Sequence, residues 1–265
     1  MDPVEQILDL ALDLASRASL LMLERLDQPR SDVRTKSTAT DMLTEVDEAS
    51  EALIVAGVRG ARPDDGILSE EGAAADGTSG YRWIIDPVDG TTNYLYGHPG
   101  FAVSIAVELD GEVIVGVVQD PLHGEVFAAT RGGGATRNRN PIEVSSETRL
   151  GSALVATGFG YDPERRVAQA QVLAGVIGGI RDVRRMGAAA ADLCSVACGR
   201  VDAYYERGLN HWDLAAGELI ASEAGAVVGA IEGGPAKPGS VVAAPAALFE
   251  PLRELLLEAG AADHA

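Results

Sequence analysis

The sequence predicts a mixed α/β protein made of two closely packed subdomains. Three observations predict it: two amphipathic helical patterns at the N-terminus, an antiparallel run of strands in the middle, and an alternation of short strands with helices beyond Leu150. The division therefore falls near Leu150, into residues 1–150 and 151–265. No linker-like or low-complexity stretch separates them, so the two parts are expected to form one compact unit.

Each element has its own signal. From Val4 to about Leu26, the residues Ile7, Leu8, Ala11, Leu14, Ala15, Ala18 and Leu21 recur at three- and four-residue spacing, the mark of a helix with one buried face. Gln28 to Thr40 is polar and holds Pro29; a second helix is expected from Thr44 to Arg59, burying Ala49, Leu53, Ile54 and Val58. GILSEEG and YRWIIDPVDG are apolar runs that end in carboxylates followed by Gly or Pro, as in strands that stop at a polar site. Between Phe101 and Thr130 an Asp-Gly turn and a Pro-Leu-His-Gly turn divide three strands of an antiparallel meander. RGGGATRNRNPIEVS continues it; its glycines precede no GK[ST] and read as turn residues, not as a phosphate loop. Further on, SALVATGFG, RDVRRMG, VDAYYERG and AGAVVG read as strands, with helices at Pro163–Ile177, Ala188–Cys198, Trp212–Ala224 and Pro245–Ala259.

Charge narrows the function. Forty acidic against 21 basic residues give a formal net charge of −19, which repels nucleic acid and anionic membranes, and would repel an anionic substrate unless bound cations reverse the sign locally. No apolar run approaches the roughly 20 residues needed to span a bilayer, and the acidic N-terminus lacks the basic start of a signal peptide, so the cytoplasm is the expected compartment. Cys194 and Cys198 stand four apart in a helical pattern and read as small apolar residues.

The densest chemistry lies in Glu70-Glu71-Gly72 and in Trp83-Ile84-Ile85-Asp86-Pro87-Val88-Asp89-Gly90-Thr91-Thr92-Asn93. Carboxylates forced together raise one another's pKa unless a cation compensates, and hard divalent ions such as Mg²⁺ take oxygen ligands of this kind. Pro87 fixes the backbone between Asp86 and Asp89, and Gly90 lets a ligand approach the chain closely. Taken singly, each acid could equally be a solvated turn residue or an N-cap, and Asp213, after Trp212 at a helix start, has the same two readings. Backbone amides of Gly90 and Thr91, at an expected helix start, could donate to a phosphate. His211 has no other histidine at ligand spacing and reads as structural.

These segments resemble the signature segments of the inositol monophosphatase family: E-E-G, W-I-I-D-P-V-D-G-T-T-N-Y and W-D-L-A-A-G, with similar stretches at K-S-T-A-T-D-M-L-T-E-V-D and R-R-M-G-A-A-A-A-D-L-C-S-V-A-C-G-R-V-D-A-Y-Y-E-R-G. The resemblance runs from Lys36 to Gly225. It implies a layered αβαβα sandwich, a homodimer, and two or three Mg²⁺ ions between two sheets, with Li⁺ as an inhibitor. By position, Glu70, Asp86 and the Val88 carbonyl would hold one metal; Asp86, Asp89 and Asp213 would hold a second; Glu70 would be shared with a weaker third site. Asp47 and Thr91 match the pair that activates the attacking water, with Glu70 beside them. Asp89, Gly90, Thr91, Gly187, Ala189, Glu206 and Asp213 match the substrate contacts. Ala188 departs from the Ser or Thr of many relatives.

The implied reaction is Mg²⁺-dependent hydrolysis of a small phosphate monoester, with myo-inositol 1-phosphate as the leading substrate. G-T-T-N-Y, T-G-F-G-Y and D-A-Y-Y-E-R-G favour that subgroup over fructose 1,6-bisphosphate and histidinol phosphate phosphatases. The alternative of another kind is a regulatory binding protein that keeps the same fold.

Overall fold

The structure, a computed structural model, describes residues 3–27, 33–35 and 42–263. The polar segment 28–32 and the family-like stretch 36–41 lie outside the described residues. The first half runs α1 (Pro3–Leu26), β1 (Val33–Thr35), β2 (Met42–Thr44), α2 (Glu45–Ala61), β3 (Gly66–Ser69), β4 (Ala74–Ala75), β5 (Tyr81–Asp89), α3 (Thr91–Tyr96), β6 (Ala102–Leu109), β7 (Glu112–Asp120), β8 (Glu125–Thr130), β9 (Gly134–Arg137) and β10 (Asn140–Pro141). The second runs β11 (Leu154–Thr157), α4 (Pro163–Val176), β12 (Asp182–Arg184), α5 (Ala189–Ala197), β13 (Ala203–Glu206), α6 (His211–Glu223), β14 (Val227–Gly229), β15 (Val241–Ala244) and α7 (Ala246–Glu258).

Strands β10-β9-β8-β7-β6-β5-β3-β4 make one eight-stranded sheet, and β12-β11-β13-β15-β14 a five-stranded one. The expected meander is present, with β5 to β10 antiparallel in sequence order. Three parallel pairings break the pattern: β3 with β5, β11 with β12, and β11 with β13. Parallel pairing sends strand ends to the same edge, and both edges face the site described below.

Alternation along the strands builds the layers. In β6, Val103, Ile105 and Val107 face a core shared with Ile7, Leu14 and Met22 of α1 and Ile54 and Val58 of α2. Ala102 and Ala106 of the same strand face the opposite way, into a core shared with α5, α6 and the inner residues Ala156, Tyr204 and Val241 of the five-stranded sheet. The outer face of that second sheet, with Val155, Tyr205 and Val242, packs on Val172 and Val176 of α4 and Leu248, Leu252 and Leu256 of α7. The order is therefore helices, sheet, helices, sheet, helices: the αβαβα sandwich.

Two details of the sequence reading are corrected. The buried stripe of α2 is Val46, Ser50, Ile54 and Val58 with Val55, while Ala49 and Leu53 are only half-buried, because the helix starts from its Thr44 cap with Asp47 turned inward. In α1, Leu8 and Leu21 are likewise half-buried and Met22 takes the core position. Strand β15 carries no expectation at all: Val241-Val242-Ala243-Ala244 is a four-residue run leading straight into a helix, too short for a period to show.

Candidate active site

The site begins where β3 and β5 end side by side. Their parallel register sets Ser69 opposite Ile85, and the Glu70 amide donates to the Ile85 carbonyl at 3.1 Å, so Glu70 stands beside Asp86. Period two turns Asp86 to the inner face shared with Ile84, and an irregularity between Asp86 and Asp89 then lets Asp89 reach the same region. The Val88 amide donates to Asp86 Oδ1 at 3.1 Å, and the Ser50 hydroxyl of α2 donates to the Pro87 carbonyl at 3.0 Å, holding the turn from both sides.

Gly90 follows in the left-handed region at φ 88° and starts α3. A β-carbon there would lie 2.6 Å from the Gly100 carbonyl and 3.1 Å from that of Gly187, so only glycine lets the three backbone segments meet. Asn93 reinforces the junction, donating from Nδ2 to the carbonyls of Gly100 and Met186, each at 2.6 Å.

Asp47 is fully buried behind this turn. Its Oδ2 accepts from the Thr44 amide at 2.9 Å and from the Thr44 hydroxyl, closing a capping box at the start of α2. Its Oδ1 lies 2.9 Å from Thr91 Oγ1, which also lies 3.1 Å from the Val88 carbonyl, so the single hydroxyl proton is shared between two acceptors.

Asp89 reaches across to the second half of the chain. Its two oxygens accept from the amides of Ala189 at 3.1 Å and Ala190 at 2.8 Å, the first turn of α5. The N-cap position of that helix is Ala188, which makes no side-chain cap bond, so Asp89 supplies in trans the oxygens that a Ser or Thr would supply locally. Asp213, in the first turn of α6, accepts from the Asn210 amide at 2.5 Å. Glu206 ends β13 on the inner face, accepts from the Tyr204 hydroxyl at 2.7 Å, and packs against Gly158, where no β-carbon would fit.

Burial and mutual repulsion set the protonation of these groups. Desolvation, then the charges of Glu70, Asp89 and Asp213, push Asp86 well above the ordinary carboxylate range, and hydrogen bonds link its carboxyl to those of Glu70 and Asp213. Asp213 is raised by the same desolvation, against the Asn210 amide that lowers it. Desolvation carries Asp89 to about 7 despite the Ala190 amide, and Glu206 to about 7 despite the Tyr204 hydroxyl. Crowded as they are, with Asp89 and Asp213 held by backbone amides, these acids form no ready-made cage: among the described residues, no three acidic, His or Cys side chains are already arranged to hold a metal. The donor set nevertheless suits a hard divalent cation, being all oxygen and rich in negative charge that it now accommodates by taking up protons.

Of the site residues that the family resemblance implies, all but Asp47 line one cavity of about 410 Å³: Glu70, Asp86, Val88, Asp89, Gly90 and Thr91 from the first half, and Gly187, Ala189, Glu206 and Asp213 from the second. Several neighbours went unread. Asn93 and Tyr204 stand inside the motifs quoted above, but their roles, joining two backbone segments and donating to Glu206, belong to the assembled fold. Arg165 and Arg185 line the same cavity; an arginine doublet at each, R-R-V and R-R-M-G, was the available signal. Outside the cavity, His211 Nε2 lies 2.7 Å from Glu108 Oε1, and Cys194 is buried with its thiol pushed up by desolvation.

Comparison with known proteins agrees with this architecture. The chain is 39% identical over 248 residues to the Nus factor SuhB of Haemophilus influenzae, covering 92% of this chain and 93% of that one. It is 44% identical over 221 residues to the inositol-1-monophosphatase SuhB of Mycobacterium tuberculosis, covering 80% and 76%. The solved extragenic suppressor protein suhB of Bartonella henselae superposes with a TM-score of 0.91 at 35% identity, over 95% of this chain and 98% of that one. With a family model matching residues 3–261, the chain belongs to the inositol monophosphatase family.

Proposed function

We propose that this protein hydrolyses a small polyol or sugar phosphate monoester with the help of Mg²⁺, myo-inositol 1-phosphate being the first substrate to test. The observation that carries the reading is the convergence of Glu70, Asp86, Asp89 and Asp213 on one cavity, with a buried Thr91–Asp47 pair at its edge. Glu70, Asp86, Asp89, Asp213 and the Val88 carbonyl would hold the metal, which when bound supplies positive charge against the phosphoryl oxygens and eases proton loss from water. The residues of the chain do the rest. Thr91 accepts a proton from the attacking water while passing its own to Asp47, whose Oδ1 lies within reach. Water adds to phosphorus as the ester P–O bond breaks, and the departing alkoxide takes a proton from solvent, giving the alcohol and inorganic phosphate. Amides of Gly90 and Thr91 orient the phosphoryl group, and Glu206 accepts from substrate hydroxyls at the far side.

The name Nus factor carried by the Haemophilus influenzae relative favours a second reading, a regulatory binding role on the same fold. Direct RNA contact sits poorly with a net charge of −19. Phosphate release from inositol 1-phosphate, fructose 1,6-bisphosphate and histidinol phosphate, with Mg²⁺ or with EDTA, separates the two. Mg²⁺-dependent turnover of inositol 1-phosphate is expected. Preference for another ester replaces the substrate, and no turnover of any leaves the binding role.

A further inference from the structure

The hydrolysis proposed above uses the acidic end of the cavity and leaves two cations on its wall unassigned. Arg165, in the first turn of α4, and Arg185, between β12 and α5, both line it. Each follows or precedes an arginine that is tied down. Arg166 donates from Nε to the Gly160 carbonyl at 3.1 Å, and Arg184 donates from Nη1 to Asp182 Oδ2 at 2.8 Å. Among the described residues, the guanidinium groups of Arg165 and Arg185 make no hydrogen bond or ion pair; only the Arg165 backbone amide is engaged, by Asp162.

Both side chains lie on glycine. A β-carbon on Gly208 would meet Arg165 Nη1 at 2.7 Å and one on Gly160 its Cδ at 3.2 Å, while a β-carbon on Gly187 would meet Arg185 Nη1 at 2.2 Å. These glycines therefore clear the space in which the two guanidinium groups rest along the cavity wall. Gly208 stands two residues beyond Glu206, and the charge of Arg185 is felt at Glu206. Both cations thus border the part of the cavity marked by Glu206, where the alcohol part of an ester would lie.

A chain of net charge −19 repels a doubly charged anion more than a singly charged one, and two guanidinium groups free of hydrogen bonds beside the cavity work locally against this order. Arginine also matches planar and tetrahedral oxyanions with paired N–H donors. We infer that Arg165 and Arg185 form an anion-recognition end of this cavity, and that its preferred substrates are polyol or sugar phosphates bearing a second anionic group, phosphate or carboxylate, remote from the ester that is cleaved. The inference rests on the phosphatase reading above and extends it to a substrate class.

Three linear probes of equal length test it: glucitol 6-phosphate, glucitol 1,6-bisphosphate and 6-phosphogluconate, each assayed by phosphate release with saturating Mg²⁺. The bisphosphate and the phosphogluconate should each exceed the monophosphate in kcat/KM by about tenfold, mostly through KM, and added salt should shrink the ratio. In Arg165→Ala/Arg185→Ala the ratio should fall to near one, and Arg165→Lys/Arg185→Lys should recover part of it. Preference for the bisphosphate alone identifies phosphate as the second group; preference for both identifies any anion. Equal kcat/KM for all three probes in the native protein, or a ratio that survives the double alanine variant, overturns the inference while leaving the phosphatase intact. Hydrolysis of none of them while inositol 1-phosphate is still turned over overturns the inference alone, and no turnover of inositol 1-phosphate either overturns the phosphatase reading with it.

Discussion

The outer and middle helical layers pack against opposite faces of the same eight-stranded sheet, yet they are built from different residues. Against the outer face, α1 and α2 bring Ile7, Leu14, Met22, Ile54 and Val58, and their remaining sides meet solvent. Against the inner face, α5 and α6 bring Ala189, Ala190, Ala197, Ala215, Ala216 and Ala221, because a second sheet covers their other side. Small residues let the two sheets approach, and the close approach carries the first turns of α5 and α6 to the strand ends where Asp86 and Asp89 lie. The middle layer therefore brings the second half of the chain to the site, while the outer layer reaches it only through the first turns of α2, where Asp47 meets Thr91 and Ser50 holds the Pro87 carbonyl.

The largest test of that difference is Asp89→Asn. It removes a charge from the proposed metal set while one oxygen still accepts from the α5 amides, so phosphate release should fall by about 10² or more with the melting temperature little changed. A variant of near-normal rate would remove Asp89 from the reaction. A paired glycine experiment probes the packing itself. In the middle layer, a β-carbon on Gly116 of β7 would lie 2.8 Å from the backbone oxygen of Ala216, which cannot move aside. In the outer layer, a β-carbon on Gly57 of α2 would meet only the far end of the Leu14 side chain, which can rotate. Gly116→Ala should cost about 1–3 kcal/mol in denaturant unfolding, whereas Gly57→Ala should stay within about 1 kcal/mol of the parent, helped by helix propensity. Equal losses would mean that the two layers are packed alike.

The same contrast decides what could be read from the sequence. In α1 the apolar residues repeat on one face because the other face meets water, so the helix and most of its buried residues were legible. α6 is apolar on several sides, and its existence was read from composition and a plausible cap, with no face to assign. Carboxylates at strand ends were visible as Glu70, Asp86 and Asp89 because turn residues follow them. Their convergence with Asp213 and Glu206 was visible only through family resemblance, since residues more than a hundred positions apart share no local pattern. Asp89 capping α5 in trans, Asn93 joining two backbone segments, and the pairing of β3 with β5 are properties of the assembled fold alone.

The crowding of acids between the two sheets makes stability depend on pH. Asp89 and Glu206 have folded values of about 7, above the roughly 4 of an unfolded carboxylate, so the folded protein holds the extra protons. In metal-free protein their contribution is full below about pH 4 and is lost as pH rises toward 7, at about 1.4 kcal/mol per unit for each group. Melting temperatures measured in EDTA should therefore fall between pH 5 and 8. Mg²⁺ should raise them more at pH 8 than at pH 5, since at the higher pH it need not displace protons. A Mg²⁺ effect larger at pH 5 would contradict the acidic metal set.

The smallest effect expected lies one step deeper in the same layer, at Asp192 of α5. It is 1% exposed, and among the described residues neither carboxyl oxygen has a hydrogen-bond partner; the Gly187 amide lowers its pKa without reaching it in hydrogen-bond geometry. Desolvation, then the charges of Glu206 and Asp89, push the group well up, so it too holds a proton that the unfolded chain releases at neutral pH. Asp192→Asn keeps the shape and removes that proton uptake. It should stabilise the protein by on the order of 1 kcal/mol at pH 7, with a gain that grows from pH 5 to 8, where the parent loses most. If the gain is instead flat with pH, the Asp192 carboxyl has a partner when folded, and the middle layer is less strained than its acids suggest.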